Sequence, residues 1–115
     1  MSSDGRHPPI ETVTLTDVFG ALADPVRLLA VRTLAGLGSS PCNDLYRAAG
    51  LTIGRSTFSH HQKILREAGL IHERIDGARR ILSIRTDDLD SRFPGLLAVI
   101  ATETAPHDGT TTGRS

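Results

Sequence analysis

The sequence predicts a small, mainly α domain carrying one small β-hairpin. Three observations predict it. Apolar residues recur at helical spacing through most of the chain. Start signals (Asp24-Pro25, Ser40-Pro41) and stop glycines (Gly38, Gly50, Gly69) divide that pattern into short helices. Around Asp76-Gly77 the apolar period changes from helical spacing to alternation, the mark of paired strands.

The elements follow in order. Residues 1–10 and 105–115 read as disordered tails around one domain spanning 11–104. The first helix starts at Thr14 or Thr16 and runs to about Ala23, with Val18, Leu22 and either Leu15 or Phe19 as its apolar stripe. Asp24 as N-cap and Pro25 at the first helical position begin the second. Its apolar face is Val26, Leu29, Ala30, Leu34 and Leu37. Ser40-Pro41 repeats the start signal, and a short third helix runs to about Ala49. Leu51 to Gly54 is a tight turn into a fourth helix that Gly69 ends. A strand runs from Leu70 to about Ile75, and Ile81, Leu82 and Ile84 mark its partner. Thr86-Asp87-Asp88 caps a short helix, Pro94 breaks or restarts it, and the apolar run after Gly95 continues to about Thr104.

Four helices, a hairpin and a final helix, with the third and fourth joined by a short Gly-containing turn, make a winged helix-turn-helix.

The fourth helix carries the chemistry. Phe58, His61 and Leu65 are spaced to pack, with Gln62 at the edge of that face, while His60 points outward. Arg55, Ser56, Thr57, Ser59, His60 and Lys63 form a front of short polar and basic groups. Such a front fits a DNA major groove and its base edges. Arg74, Arg79 and Arg80 lie on the hairpin, where they would hold the flanking backbone or minor groove. The formal net charge is zero, but its distribution is uneven. Residues 54–85 hold seven basic and three acidic side chains, and the rest of the chain carries the opposite excess. That split falls on the polar helix and the hairpin, which favours double-stranded DNA as partner.

The last helix is apolar on more than one face. Leu96, Leu97, Val99 and Ile100, with Leu15 or Phe19 of the first helix, are the expected seam of a two-fold homodimer.

Composition excludes several classes. The 115 residues suit one domain, and with three Phe, one Tyr and no Trp the core must be aliphatic. No apolar run approaches the ~20 residues that span a bilayer, and the polar N-terminus has no signal-peptide core, so a cytoplasmic chain is expected. The single cysteine, Cys42, excludes an intrachain disulfide. It also excludes a zinc site built from four cysteines, or from paired cysteines and histidines, within one chain. Cys42 reads as a buried thiol, with a redox or electrophile sensor as the alternative. No Gly-x-Ser-x-Gly, phosphate-loop or His-Glu-x-x-His motif is present, so no enzyme is expected.

Four segments carry a family resemblance. They are Ala23-Asp24-Pro25-Val26-Arg27-Leu28-Leu29, Ser56-Thr57-Phe58-Ser59-His60-His61, Leu65-Arg66-Glu67-Ala68-Gly69-Leu70-Ile71 and Asp76-Gly77-Ala78-Arg79. In this order and at these separations, over residues 15–104, the chain resembles the ArsR family of bacterial repressors. The resemblance implies a homodimeric repressor that leaves an inverted-repeat operator when an inducer binds, in many members a metal ion. It makes Arg27 structural.

The family's metal sites are not matched. Its arsenic and lead sites use Cys-x-Cys, whereas the stretch here is Pro41-Cys42-Asn43. Its zinc sites would fall on Asp88, Asp90, Ala101 and Thr104, with no histidine. No metal and no cofactor are therefore expected, and the residues name no inducer, operator or regulated gene. A constitutive regulator without ligand and a winged-helix protein-interaction module are the alternatives.

Overall fold

The computed structural model describes residues 7–102. Helix α1 is Leu15–Leu22, α2 Pro25–Leu37, α3 Cys42–Ala48 and α4 Arg55–Glu67. Strand β1 is Ser39–Pro41, β2 Ile71–Asp76 and β3 Arg79–Ile84. Two short helices follow, α5 Thr86–Arg92 and α6 Leu96–Thr102.

The start and stop signals act as their chemistry predicts. Thr14 caps α1, its hydroxyl accepting from the Asp17 N–H. Asp24 Oδ1 accepts from the N–H groups of Val26 (2.8 Å) and Arg27 (3.1 Å), with Pro25 in the first turn of α2. These two bonds, the one from Arg27 foremost, hold the Asp24 carboxyl below the ordinary carboxylate range. Gly69 ends α4 at φ +89°, and a Cβ there would meet Cγ2 of Val13 at 2.4 Å. Both backbone conformation and space therefore require glycine.

Helix α2 lies at the centre. Ala30, Val31 and Leu34 pack with Leu45 of α3, Phe58 and Leu65 of α4, and Ile71 and Leu82 of the sheet. Burial of this apolar set is the main stabilising term.

Five expectations need correction. Ser40-Pro41 does not start α3. It lies in β1, which adds a third, antiparallel strand to the sheet in the order β1-β3-β2. An edge strand tolerates proline because no ladder donor is needed there. Pro41 then becomes the N-cap of α3. Second, the packed face of α4 is Phe58, Gln62 and Leu65, not Phe58, His61 and Leu65. Gln62 is 4% exposed and donates to Cys42 Sγ, which satisfies one buried amide hydrogen.

Third, the single final helix of the expected order is two helices, although the break falls at Pro94-Gly95 where the sequence places it, with Gly95 at φ +91°. Thr86 is the first residue of α5 rather than its cap. Fourth, residues 7–10 are not a tail. The Glu73 N–H donates to His7 Nε2 at 2.9 Å, and Arg85 Nη1 donates to the Pro8 carbonyl at 2.8 Å. A single 3-10 turn, Ile10–Thr12, leads from there into the buried Val13. Fifth, Ile100 is 5% exposed and belongs to the subunit's own core, so it is not a seam residue. Residues 1–6 and 103–115, expected as tails or as the last turn of the final helix, lie outside the described residues.

Candidate nucleic-acid interface

The candidate face is built on the first turns of α4. Arg55, Ser56, Thr57, Ser59, His60 and Lys63 are all exposed, while Phe58, Gln62 and Leu65 anchor the back. No side chain caps the helix at Gly54, so its first N–H groups are left without a side-chain acceptor. Ser56 and Thr57 stand at that end, where an anion is favoured.

Arg55 is held rather than free. Its guanidinium carbon lies 4.8 Å from the centroid of the Tyr46 ring, and its Nη1 donates to Asn43 Oδ1. Tyr46 is fixed in turn, its hydroxyl donating to the Ile53 carbonyl and its ring 5.3 Å from that of Phe58. Helix α3 and the turn before α4 thus set the position of the first basic group on α4.

His61 is half-buried and faces Arg27 of α2, whose Nη1 lies 3.1 Å from its Nδ1. Arginine only donates, so Nδ1 accepts and Nε2 carries the imidazole proton. His60, its neighbour, is exposed.

The hairpin closes through Gly77 (φ +64°) and Ala78, with Asp76 opposite Arg79. The turn lies one residue later than Asp76-Gly77. Arg79 and Arg80 are exposed on β3 and Arg74 on β2. Arg79 stands 3.9 Å from Asp44 of α3 and Arg74 stands 4.0 Å from Asp76. An open cleft of about 340 Å³ between the start of α3 and the hairpin turn is lined by Asn43, Asp44, Arg47, Arg79 and Arg80, among others.

Two of the seven basic groups counted in residues 54–85 do not face outward. Arg66 is taken by Glu73 at 3.0 Å, and Arg85, its side chain 4% exposed, by Asp88 at 3.0 Å. Arg47 and Asn43 on α3 border the face and were not among the sequence candidates. Arg47 offered a signal, since a basic group three residues after Asp44 on a short exposed helix face is a surface pair. Asn43 offered none, because its role depends on where α3 meets Arg55.

The expected seam residues fall in different places. Leu15 (41%), Phe19 (55%) and Val99 (66%) are exposed. Leu15, Leu96 and Val99, with Phe93 and Pro94, line one open apolar groove. Leu97 turns to a second groove with Ala35, Ile84 and Ala101.

Among the described residues, no three His, Cys, Asp or Glu side chains group to hold a metal ion, and no helix is long and apolar enough to cross a membrane.

Two short helices joined by a turn, an exposed polar face on the second and an arginine-bearing hairpin after it make the architecture of a helix-turn-helix DNA-binding regulator, and known proteins agree. No family model matches the chain. An uncharacterised HTH-type transcriptional regulator, YceK of Bacillus subtilis (strain 168), is 34% identical over 84 residues, 72% of this chain and 82% of that protein. The crystal structure of an ArsR family transcriptional regulator superposes with TM-score 0.61 at 24% identity, covering 74% of this chain and 90% of that one. That of the transcriptional repressor BigR from Xylella fastidiosa gives TM-score 0.56 at 26% identity over 69% and 85%. The chain belongs to the HTH-type transcriptional regulators, and its fold is that of an ArsR family regulator.

Proposed function

We propose that this chain is a homodimeric repressor that binds an inverted-repeat operator through α4 and the wing and is released by a signal yet to be identified. Arg55, Ser56, Thr57, Ser59, His60 and Lys63 enter the major groove, and Arg74, Arg79 and Arg80 grip the flanking backbone or minor groove. The observation that carries this is the exposed front of α4, led by an Arg55 that Tyr46 and Asn43 hold in place, with Asn43 and the wing's Arg79 and Arg80 lining one cleft. A side chain already ordered loses less freedom on binding.

The dimer reading is supported by Leu15, Phe19 and Val99, which place apolar surface at 41–66% exposure on α1 and α6. A second copy related by a two-fold axis would cover it. Two reading helices on successive major grooves then require half-sites about one helical turn apart, or a small multiple. Selection of duplexes from a random-sequence library, followed by footprinting of the winners, tests this. An inverted repeat protected by two subunits is expected. A single, asymmetric half-site bound by one subunit would overturn it.

A further inference from the structure

Glu73 is an acidic residue where an apolar one is expected. It pairs across the hairpin with Leu82 (0% exposed), beside the pair Ile71 and Ile84, on the sheet face turned to the core. Its side chain is 1% exposed. A buried carboxylate is unfavourable unless ion-paired, and its two oxygens meet cations on two different elements. Oε1 accepts from Arg66 Nη1 of α4 at 3.0 Å, and Oε2 stands 3.6 Å from Arg80 Nη1 of β3. Arg66 is itself largely covered, 15% exposed, whereas Arg80 is 60% exposed at the rim.

The hydrogen bond from Arg66 offsets part of the cost of burying the charge. The link to Arg80 adds less, since at 3.6 Å it lies beyond hydrogen-bond range and one of its two partners is 60% exposed. Its effect is on Arg80 itself. Guanidinium carries five donors in a planar fork, so one can face the carboxylate while the others remain for a phosphate.

We propose that Glu73 is a positioning residue for the wing: it holds Arg80 at a fixed offset from the reading helix, so that the free donors of Arg80 meet one phosphate beside the half-site. This rests on α4 and the wing being the DNA face. Plain electrostatics gives the opposite expectation, because deleting a negative charge next to DNA tightens binding and steepens its salt dependence.

A double-mutant cycle separates the two, using a duplex enriched by the wild-type protein from a random library. In the wild type, Arg80→Ala should weaken binding about fivefold near physiological salt and lower the salt slope by about one, the value of a single phosphate contact. Glu73→Gln, which keeps shape and an acceptor for Arg66, should by itself produce most of that loss. Arg80→Ala should then add less than about twofold on the Glu73→Gln background. Glu73→Gln binding as tightly as wild type or tighter, with Arg80→Ala equally harmful in both backgrounds, would overturn the proposal. A chain that enriches no duplex overturns the DNA-face reading and this proposal together.

Should Glu73→Gln fail to fold, the unmodified protein supplies the readout. The Arg80 guanidinium nitrogen signals should show hindered rotation before DNA is added and shift on binding. Free rotation in the DNA-free protein would overturn the proposal.

Discussion

Arg27 of α2 ties the end of α1 to α4: its Nε donates to the Ala21 carbonyl at 2.7 Å and its Nη1 lies 3.1 Å from Nδ1 of His61. One side chain thus joins three helices at a half-buried site. Both bonds involve a charged donor, and hydrogen bonds to charged groups contribute about 1.5–3 kcal/mol.

Arg27→Met should keep the packed stem of the side chain, lose those bonds and lower unfolding free energy by about 1.5–3 kcal/mol. A urea titration gives the number from the shift in midpoint at unchanged slope. A loss under about 0.5 kcal/mol would mean that the helices are joined by apolar packing alone.

Gly69→Ala should destabilise by about 2–4 kcal/mol, combining the left-handed backbone with the clash against Val13. Gly77→Ala is the control, with φ +64° but open space around the new methyl, so only the conformational part remains. Thermal melts of the two should differ clearly. Equal melts would remove the Val13 contact from the account.

Legibility of the fold followed the locality of each cause. Caps, stop glycines and the hairpin are set by residues within a few positions, and Thr14, Asp24, Gly38 and Gly69 were all readable. Strand β1 was not. Its three residues, Ser39–Pro41, have no strand pattern of their own and are held by β3, some forty residues on. The swap of Gln62 for His61 in the packed face has the same origin. Helical spacing allows either, and the neighbours Cys42 and Arg27 decide. The exposed front of α4 was readable because polarity and spacing are local. That Arg55 leans on Tyr46 was not.

Stability should fall as pH drops below about 6.5. Burial, followed by the nearby charges of Arg85 and His7, holds His72 below the ordinary histidine range, and Asp88 opposes them. In that window the unfolded chain takes up a proton that folded His72 refuses, so the folded state loses ground as pH falls and levels off below the folded value. Melting temperature followed from pH 7.5 to pH 5.0 should decline, and less steeply in His72→Asn. An identical decline in both proteins would assign the effect elsewhere.

The seam and the core of α6 should respond differently to charge. Phe19→Glu places a carboxylate on a side chain that is 55% exposed, so the fold should survive while the dimer dissociates. Operator affinity should then fall by much more than one contact explains, because the linked second half-site is lost. Ile100→Glu buries the charge in the core and should unfold the chain. Sedimentation beside circular dichroism distinguishes them. A Phe19→Glu dimer would move the seam elsewhere.

The central claim, that the front of α4 reads DNA sequence while the wing grips the backbone, is tested most directly by one anisotropy titration. The duplex enriched by the wild type and a scrambled duplex of equal composition are bound over a range of salt concentrations. The account predicts an enriched duplex at least about 1,000-fold tighter, with affinity for both falling steeply with salt. His60→Ala should narrow that gap, by about 1–3 kcal/mol per lost base contact, while Arg79→Ala preserves the gap and lowers the slope by about one. Equal affinity for the two duplexes at every salt concentration would contradict it.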